Sequence, residues 1–193
     1  MIIDFHDTPT TERYHLMTDI ITPRPIAWVV TEGEVTNIAP FSYFTPISSD
    51  PATVIISIGH RPDGIPKDTL RNLRETKRCT ICILEADHLD PMIRSAEPLP
   101  SEESELEHFD IPTQTILEGY PPMPVGIRAA LLGTYLQEVD LTESRTIPVI
   151  IEIDHVYLDE AIISDPEKLK LSFDPVARMG GTYRELGNIL SQT

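Results

Sequence analysis

The chain has few cationic residues, few aromatic residues and no long apolar run. The shortage of cationic residues and the absence of a long apolar run each exclude a class of protein. Of its 193 residues, 15 are Lys or Arg and 31 are Asp or Glu, giving a formal net charge of −16. A field of that sign repels nucleic acid and anionic lipid, so we expect no nucleic-acid and no membrane partner. No apolar segment approaches the roughly 20 residues that span a bilayer. The N-terminus lacks the basic start of a signal peptide, which favours a cytoplasmic protein.

Only two cysteines occur, Cys79 and Cys82, and their spacing is that of a redox pair or half a zinc site. They lie in an apolar segment, 79–84, that is typical of a buried strand, where residues three apart point to opposite faces. The chain has no second CxxC and no close pair of histidines. We therefore predict reduced core cysteines and no metal site.

Several catalytic signatures are also missing. The phosphate-binding patterns GxGxxG and GxxxxGK[ST] are absent, which argues against Rossmann and P-loop nucleotide binders. The histidines show no spacing that defines a Ser-His-Asp arrangement. We accordingly predict no catalytic side chain.

Apolar periodicity and turn residues predict a mainly β chain with short helices. Strands are predicted at 26–31, 35–39, 53–59, 79–84, 127–137 and 147–158, and helices at 11–21, 67–76 and 86–96. The run 53–59 is continuously apolar, so we predict burial on both faces. Apolar residues alternate along the last strand up to Ile153 and then resume one position out of step at Val156 and Leu158. This shift predicts a β-bulge. These elements favour one antiparallel β-barrel domain over 1–193.

The segment 97–124 differs from the rest of the chain in composition, because it has a cluster of glutamates followed by a proline-rich stretch. It is too long to be a simple connector, so we expect a functional or mobile loop. A solvated loop and a lid over a site are both compatible with it.

A first candidate binding block runs from Asn37 to Phe44. Pro40 is predicted to end a strand and to free backbone groups for a ligand. Ser42 offers a hydroxyl, and aromatic residues on both sides of it offer flat walls. The plainer interpretation is a proline-ended strand whose aromatics fill the core.

A second block, Lys67-Asp68-Thr69, begins a helix. A helix N-terminus presents free N–H groups to an anion, and Lys67 adds a full charge. The alternative is an ordinary helix capped by Asp68 or Thr69, with a solvated lysine. The preceding His60 and Arg61 are either further phosphate contacts or solvated loop residues.

Two further segments contain arginine beside rigid or flexible backbone. Arg24 lies between two prolines, an arrangement that suits contact with an anion or simply a stiff entry to a strand. Arg178 and Tyr183 flank Gly180-Gly181, which is either a close backbone approach to a ligand or a simple turn.

Together these blocks resemble the flavin reductase-like family, whose members have an FMN-binding split β-barrel. The matching segments include 24–27, 37–44, 57–59, 67–73, 147–158 and 175–183, and the resemblance covers most of the chain. The resemblance implies an FMN-binding homodimer with the flavin near the subunit interface. The implied cofactor-binding residues are Arg24, Asn37, Ala39, Pro40, Phe41, Ser42, Ser57, Ile58, Gly59, Lys67, Asp68 and Thr69. Of these, Ser57 to Gly59 and Lys67 to Thr69 are expected toward the ribityl phosphate.

The resemblance also implies a reaction. An FMN-dependent oxidoreductase of this type takes hydride from NADH or NADPH and passes electrons to an unknown small-molecule acceptor, with the flavin supplying the chemistry. Alternatives are a flavin-binding electron carrier or sensor without nicotinamide turnover, and a barrel that has lost its cofactor. Many relatives have an acidic residue followed by cysteine where this chain has Leu131-Leu132-Gly133, which bears on substrate identity more than on flavin binding.

Overall fold

The computed structural model describes residues 1–61 and 63–187, so the last residues of the predicted 1–193 domain lie outside the described part. The α-helices are α1 Thr10–Ile20, α2 Asp68–Thr76, α3 Leu89–Arg94 and α4 Glu105–His108. The strands are β1 Arg24–Pro25, β2 Ala27–Thr31, β3 Asn37–Phe41, β4 Phe44–Ser49, β5 Ala52–Gly59, β6 Arg78–Ile83, β7 Thr113–Gln114, β8 Met123–Pro124, β9 Ala129–Glu138, β10 Thr146–Leu158, β11 Ile163–Asp165, β12 Lys170–Leu171, β13 Ala177–Met179 and β14 Thr182–Arg184. Single turns of 3₁₀-helix occupy Ala86–His88 and Glu160–Ile162.

Seven strands form one curled antiparallel sheet in the order β3-β2-β6-β9-β10-β5-β4. A small sheet of β1, β13 and β14 joins the segment before β2 to the hairpin near the C-terminus. The predicted fold class, a mainly β antiparallel split barrel with short helices, is confirmed. None of the helices in the described ranges is long and apolar enough to cross a membrane.

The sheet separates two apolar cores because side chains alternate along each strand. Trp28 and Val30 of β2 pack in one core, and Ala27 and Val29 pack in the other. The cysteines divide in the same way. Cys82 belongs to the first core and Cys79 to the second, and both are free thiols. The prediction of reduced core cysteines on opposite faces is confirmed, and burial raises the pKa of Cys79 to about 12.

Pro40 does not end β3, contrary to the prediction. The strand continues to Phe41, and Pro40 lies opposite Trp28 in the ladder with β2. Proline is tolerated there because β3 is an edge strand of the sheet, with a partner on one side only.

Burial of β5 on both faces is also wrong. From Val54 onward the strand alternates between fully and partly buried residues, with Ile56 and Ile58 inside and Ile55 and Ser57 on the less covered face. A run of isoleucines hides this alternation in the sequence, because both faces carry the same residue type.

The phase slip in β10 is a bulge, as predicted. The register between β10 and β9 shifts between Ile153 and His155, which leaves Asp154 as the extra residue. The carboxylate of Asp154 accepts hydrogen bonds from Arg78, Thr134 and Tyr120, the last at 2.9 Å. Through Tyr120, this cluster fastens the proline-rich end of the 97–124 segment to the sheet.

The 97–124 segment is not a simple solvated loop. It contains α4, β7 and β8, and it buries Leu106, Phe109 and Ile111 in the first core. Its glutamates separate into two groups. Glu102, Glu103 and Glu107 are exposed, whereas Glu105 is buried.

Candidate functional site

A cavity of about 680 Å³ opens between the edge strand β3, the beginning of α2 and the irregular segment after α3. Its walls combine cationic, acidic and apolar groups. They are formed by Asn37, Ala39, Pro40, His60, Arg61, Asp63, Lys67, Asp68, Thr69, Ser95, Ala96, Glu97, Pro98, Leu99 and Glu105. We call this space the main cavity.

The two blocks singled out in the sequence meet in the main cavity. The side-chain amide of Asn37 donates a hydrogen bond to the hydroxyl of Thr69 at 2.9 Å, and both residues are buried. Lys67 lies over the ring of Phe41, with its ammonium 5.9 Å from the ring centroid. Residues 32 positions apart therefore form one wall, as the flavin interpretation requires.

The N-terminus of α2 has no side-chain cap, so the prediction of capping by Asp68 or Thr69 is wrong. Lys67 occupies the N-cap position in an extended conformation, and its carbonyl accepts from the N–H groups of Leu70 and Arg71. The earlier N–H groups, of Asp68 and Thr69, make no backbone hydrogen bond within the described residues. Orphan N–H groups at a helix start are the usual donors to bound anions.

Asp68 and Thr69 have other partners instead of a cap. The Asp68 carboxylate pairs with Arg61 and also lies 2.7 Å from Arg71. That pairing limits the negative charge that Asp68 brings to the cavity. The Thr69 hydroxyl, fixed by Asn37, keeps its own hydrogen available for donation.

Glu105 is a buried acid in the cavity wall that the sequence did not single out. Its carboxylate accepts the backbone N–H of Ile38 at 3.2 Å, and the preceding Ser104 donates to the carbonyl of Thr36 at 2.6 Å. These two bonds attach α4 to the open side of β3. Burial, reinforced by the nearby Asp68 carboxylate, raises the pKa of Glu105.

The other predicted cofactor residues lie around the cavity or apart from it. Phe41 and Ser42 line a smaller cleft next to the main cavity, and Pro40 lines both. Ser57, Ile58 and Gly59 line neither space. Ile58 is a core residue with no exposed surface, and the backbone N–H of Ser57 donates to Tyr43.

Arg24 is buried beneath the end of α1, outside both spaces. Its guanidinium donates to the carbonyls of Thr18 and Ile21, the latter at 2.8 Å. A cation at a helix C-terminus is favourably placed because the last carbonyls carry partial negative charge. Its observed role is to hold the turn between α1 and β1.

The segment 95–99 forms a wall that sequence reasoning missed. Trp28 donates to the hydroxyl of Ser95 at 2.8 Å, which ties the end of α3 to the first core. The residues that follow have no regular structure and no motif. Only the fold places them opposite β3.

Comparison with known proteins agrees with this architecture. The family model described as "Flavin reductase like domain" matches residues 19–186. An uncharacterized protein of Deinococcus radiodurans is 32% identical over 187 residues, covering 92% of this chain and 82% of that protein. An uncharacterized protein of Halalkalibacterium halodurans is 36% identical over 110 residues, and this match spans about half of each protein, 54% and 53%.

Solved structures extend the likeness over the whole fold. The 2-nitrobenzoate 2-nitroreductase of Pseudomonas fluorescens has a TM-score of 0.89 at 25% identity, covering 100% of this chain and 95% of that one. Component B of nitrilotriacetate monooxygenase from Bacillus cereus has a TM-score of 0.88 at 24% identity, covering 100% and 98%. At that identity the second likeness shows the fold alone. By the match over residues 19–186, this chain belongs to the flavin reductase like domain family, and membership of this family supports flavin-related oxidoreduction.

Proposed function

We propose that the protein is an FMN-dependent oxidoreductase that takes hydride from NADH or NADPH and passes electrons to a small-molecule acceptor. The observation that supports it most strongly is the hydrogen bond between Asn37 and Thr69 in the wall of the main cavity. It unites an edge strand, suited to a flat polar ring, with a helix start, suited to a phosphate.

The end of the main cavity next to α2 is suited to the phosphate dianion of FMN. Lys67, Arg61 and the uncapped start of α2 all face the main cavity. The helix-end field contributes about 0.3–1 kcal/mol, and Lys67 adds a charge-assisted contact. Local donors have to hold the anion, because the chain as a whole has a net charge of −16.

The end of the main cavity next to β3 is suited to the pyrimidine edge of a flavin, which alternates hydrogen-bond donors and acceptors. As an edge strand, β3 pairs with β2 on one side, and its other side faces the main cavity at Ala39 and Pro40. Glu105 already binds the N–H of Ile38 on that side, so the polar groups left for a ring lie farther along the strand. A volume of about 680 Å³ is within the usual range for small-molecule sites, roughly 300–1,000 Å³.

When bound, the flavin supplies the hydride and electron chemistry, and the protein binds and orients it. In this proposal Lys67 and the N–H groups of Asp68 and Thr69 hold the phosphate. Asn37 orients the Thr69 hydroxyl, and the ring of Phe41 lies 5.9 Å from the Lys67 ammonium. This division of labour requires no catalytic side chain.

We also propose that the protein works as a cytoplasmic homodimer. The spacing of Tyr14, Met17 and Ile21 predicts that they share one face of the helix expected at 11–21. Tyr14 and Met17 lie in α1 and Ile21 directly follows it, with exposed fractions of 52%, 40% and 53%. Apolar side chains gathered on one exposed helix face are typical of a protein interface.

The direct test is spectroscopic. The purified protein should show a flavin absorption band after reconstitution with FMN, and anaerobic NADH or NADPH should bleach it. A band that persists with both nicotinamides would overturn the reductase and leave a flavin-binding carrier. A protein that takes up no FMN, and gains no thermal stability from it, would overturn the flavin site itself.

A further inference from the structure

A second, smaller cleft of about 170 Å³ adjoins the main cavity, and the two share Pro40 and Ala96. Its other walls include Tyr14, Phe41, Arg178 and Tyr183. We call this space the aromatic cleft. It is built by separate parts of the fold, including α1, β3, the end of α3 and the β13–β14 hairpin.

Arg178 is the cation of the aromatic cleft, and its side chain is partly oriented already. Its guanidinium stacks on the ring of Tyr183, 4.3 Å from the centroid, and Nε donates to the Gly180 carbonyl at 3.1 Å. Its terminal nitrogens have no protein acceptor within residues 1–61 and 63–187. They are therefore available to a ligand.

The chain is acidic, and five of its arginines pair with carboxylates within the described residues, for example Arg74 with Glu138 at 2.7 Å and Arg78 with Asp154 at 2.8 Å. Within the described residues, Arg178 forms no such pair. A guanidinium fork with free donors, stacked on an aromatic ring, is suited to a planar carboxylate.

We propose that the aromatic cleft binds a single-ring aromatic carboxylate beside the main cavity, as the second-substrate class of the enzyme. The assignment to a substrate rests on the proposed function, whereas the binding itself does not. The volume of about 170 Å³ admits one ring and not a dinucleotide. The flat walls favour an aromatic over an aliphatic body, and Arg178 selects a carboxylate.

The test is calorimetric titration of the purified protein, with and without FMN, using benzoate, benzamide and cyclohexanecarboxylate. We expect benzoate to bind and the neutral and the non-planar analogues to bind at least about tenfold more weakly. Equal affinity for benzoate and benzamide, or no benzoate binding in either state, would overturn the proposal.

Substitutions of Arg178 test whether this residue binds the carboxylate. Arg178→Gln should weaken benzoate binding at least about tenfold. Arg184→Gln, which alters an exposed arginine on the same hairpin, should leave it within about twofold. Arg178→Lys keeps the charge without the planar fork and should lie between these values. It also provides the comparison if the glutamine variant unfolds.

Unchanged benzoate affinity in both Arg178 variants would exclude Arg178 as the carboxylate ligand. An FMN titration of the same samples separates the two proposals. A protein that binds benzoate but not FMN would count against the flavin site alone. A protein that binds FMN but not benzoate would count against the aromatic cleft alone.

Discussion

Among single residues, Lys67 provides the sharpest test of the proposed phosphate site. It sits at the N-cap of α2, faces the main cavity and lies over Phe41. We predict that Lys67→Ala weakens FMN binding by roughly ten- to a hundredfold, since a charged hydrogen bond contributes about 1.5–3 kcal/mol. Riboflavin binding should change by less than about twofold, because riboflavin lacks the phosphate.

Flavin fluorescence quenching measures both affinities. Lys170→Ala, at an exposed lysine of β12, is the control and should bind FMN as the wild type does. Equal weakening for FMN and riboflavin would move Lys67 out of the phosphate site.

Glu105 predicts a pH dependence of stability. Burial raises its pKa, so its contribution to stability is fullest below the unfolded-state pKa, about 4.3, and is lost as pH rises through the folded-state pKa. Glu105→Gln removes this loss and keeps an oxygen that can accept the Ile38 N–H. We therefore predict that the variant gains stability relative to the wild type as pH rises from about 4 to 7.

Urea unfolding at several pH values gives the comparison. Glu107→Gln alters an exposed glutamate of the same helix and should show no such trend. A stability difference that does not vary with pH would mean that Glu105 is not held as a buried acid.

At the scale of elements, the pairing of β9 with β10 depends on a glycine. A Cβ added to Gly133 would lie 2.6 Å from Cγ2 of Ile151 and 2.7 Å from the carbonyl oxygen of Glu152. Because one of these atoms is backbone, the clash cannot be relieved by a rotamer change. We predict that Gly133→Ala lowers the free energy of unfolding by about 1–3 kcal/mol.

Thermal or urea unfolding tests this, with Gly59→Ala as the matched control. Gly59 also lies in a strand, but an added Cβ would meet no atom within 4 Å. That variant should stay within about 0.5 kcal/mol of the wild type. Equal stability of the two variants would show that β9 and β10 can separate at Gly133 at no cost.

The strands and helices also show which features could not be predicted from the sequence. The existence of β3 was predictable, but not its position at the sheet edge, because pairing partners are set by long-range topology. That position decides whether Pro40 breaks the strand or is tolerated in it. Likewise, Glu105 belongs to an acidic run in which nothing local marks it as the buried member.

For the whole molecule, the exposed apolar face of α1 predicts self-association. We expect sedimentation equilibrium to give a dimer for the wild type. Met17→Asp places a charge in the middle of that face and should shift the protein toward monomer. Leu169→Asp changes an apolar residue that is 71% exposed elsewhere on the surface, and it should leave the dimer intact. A monomeric wild type would refute the homodimer.

The sequence alone determined the longer strands and helices, the opposed cysteines and the bulge in β10, and it marked the two blocks that meet at the main cavity. These are local properties, fixed by side-chain periodicity and by the residue types that turns and helix starts require. Only the tertiary structure decided that Asn37 reaches Thr69, that Arg24 and Ile58 lie away from the cavity and that Arg178 borders the aromatic cleft. Such contacts join residues far apart in the chain, and they depend on how the curled sheet brings its edge strand against α2 and the last hairpin.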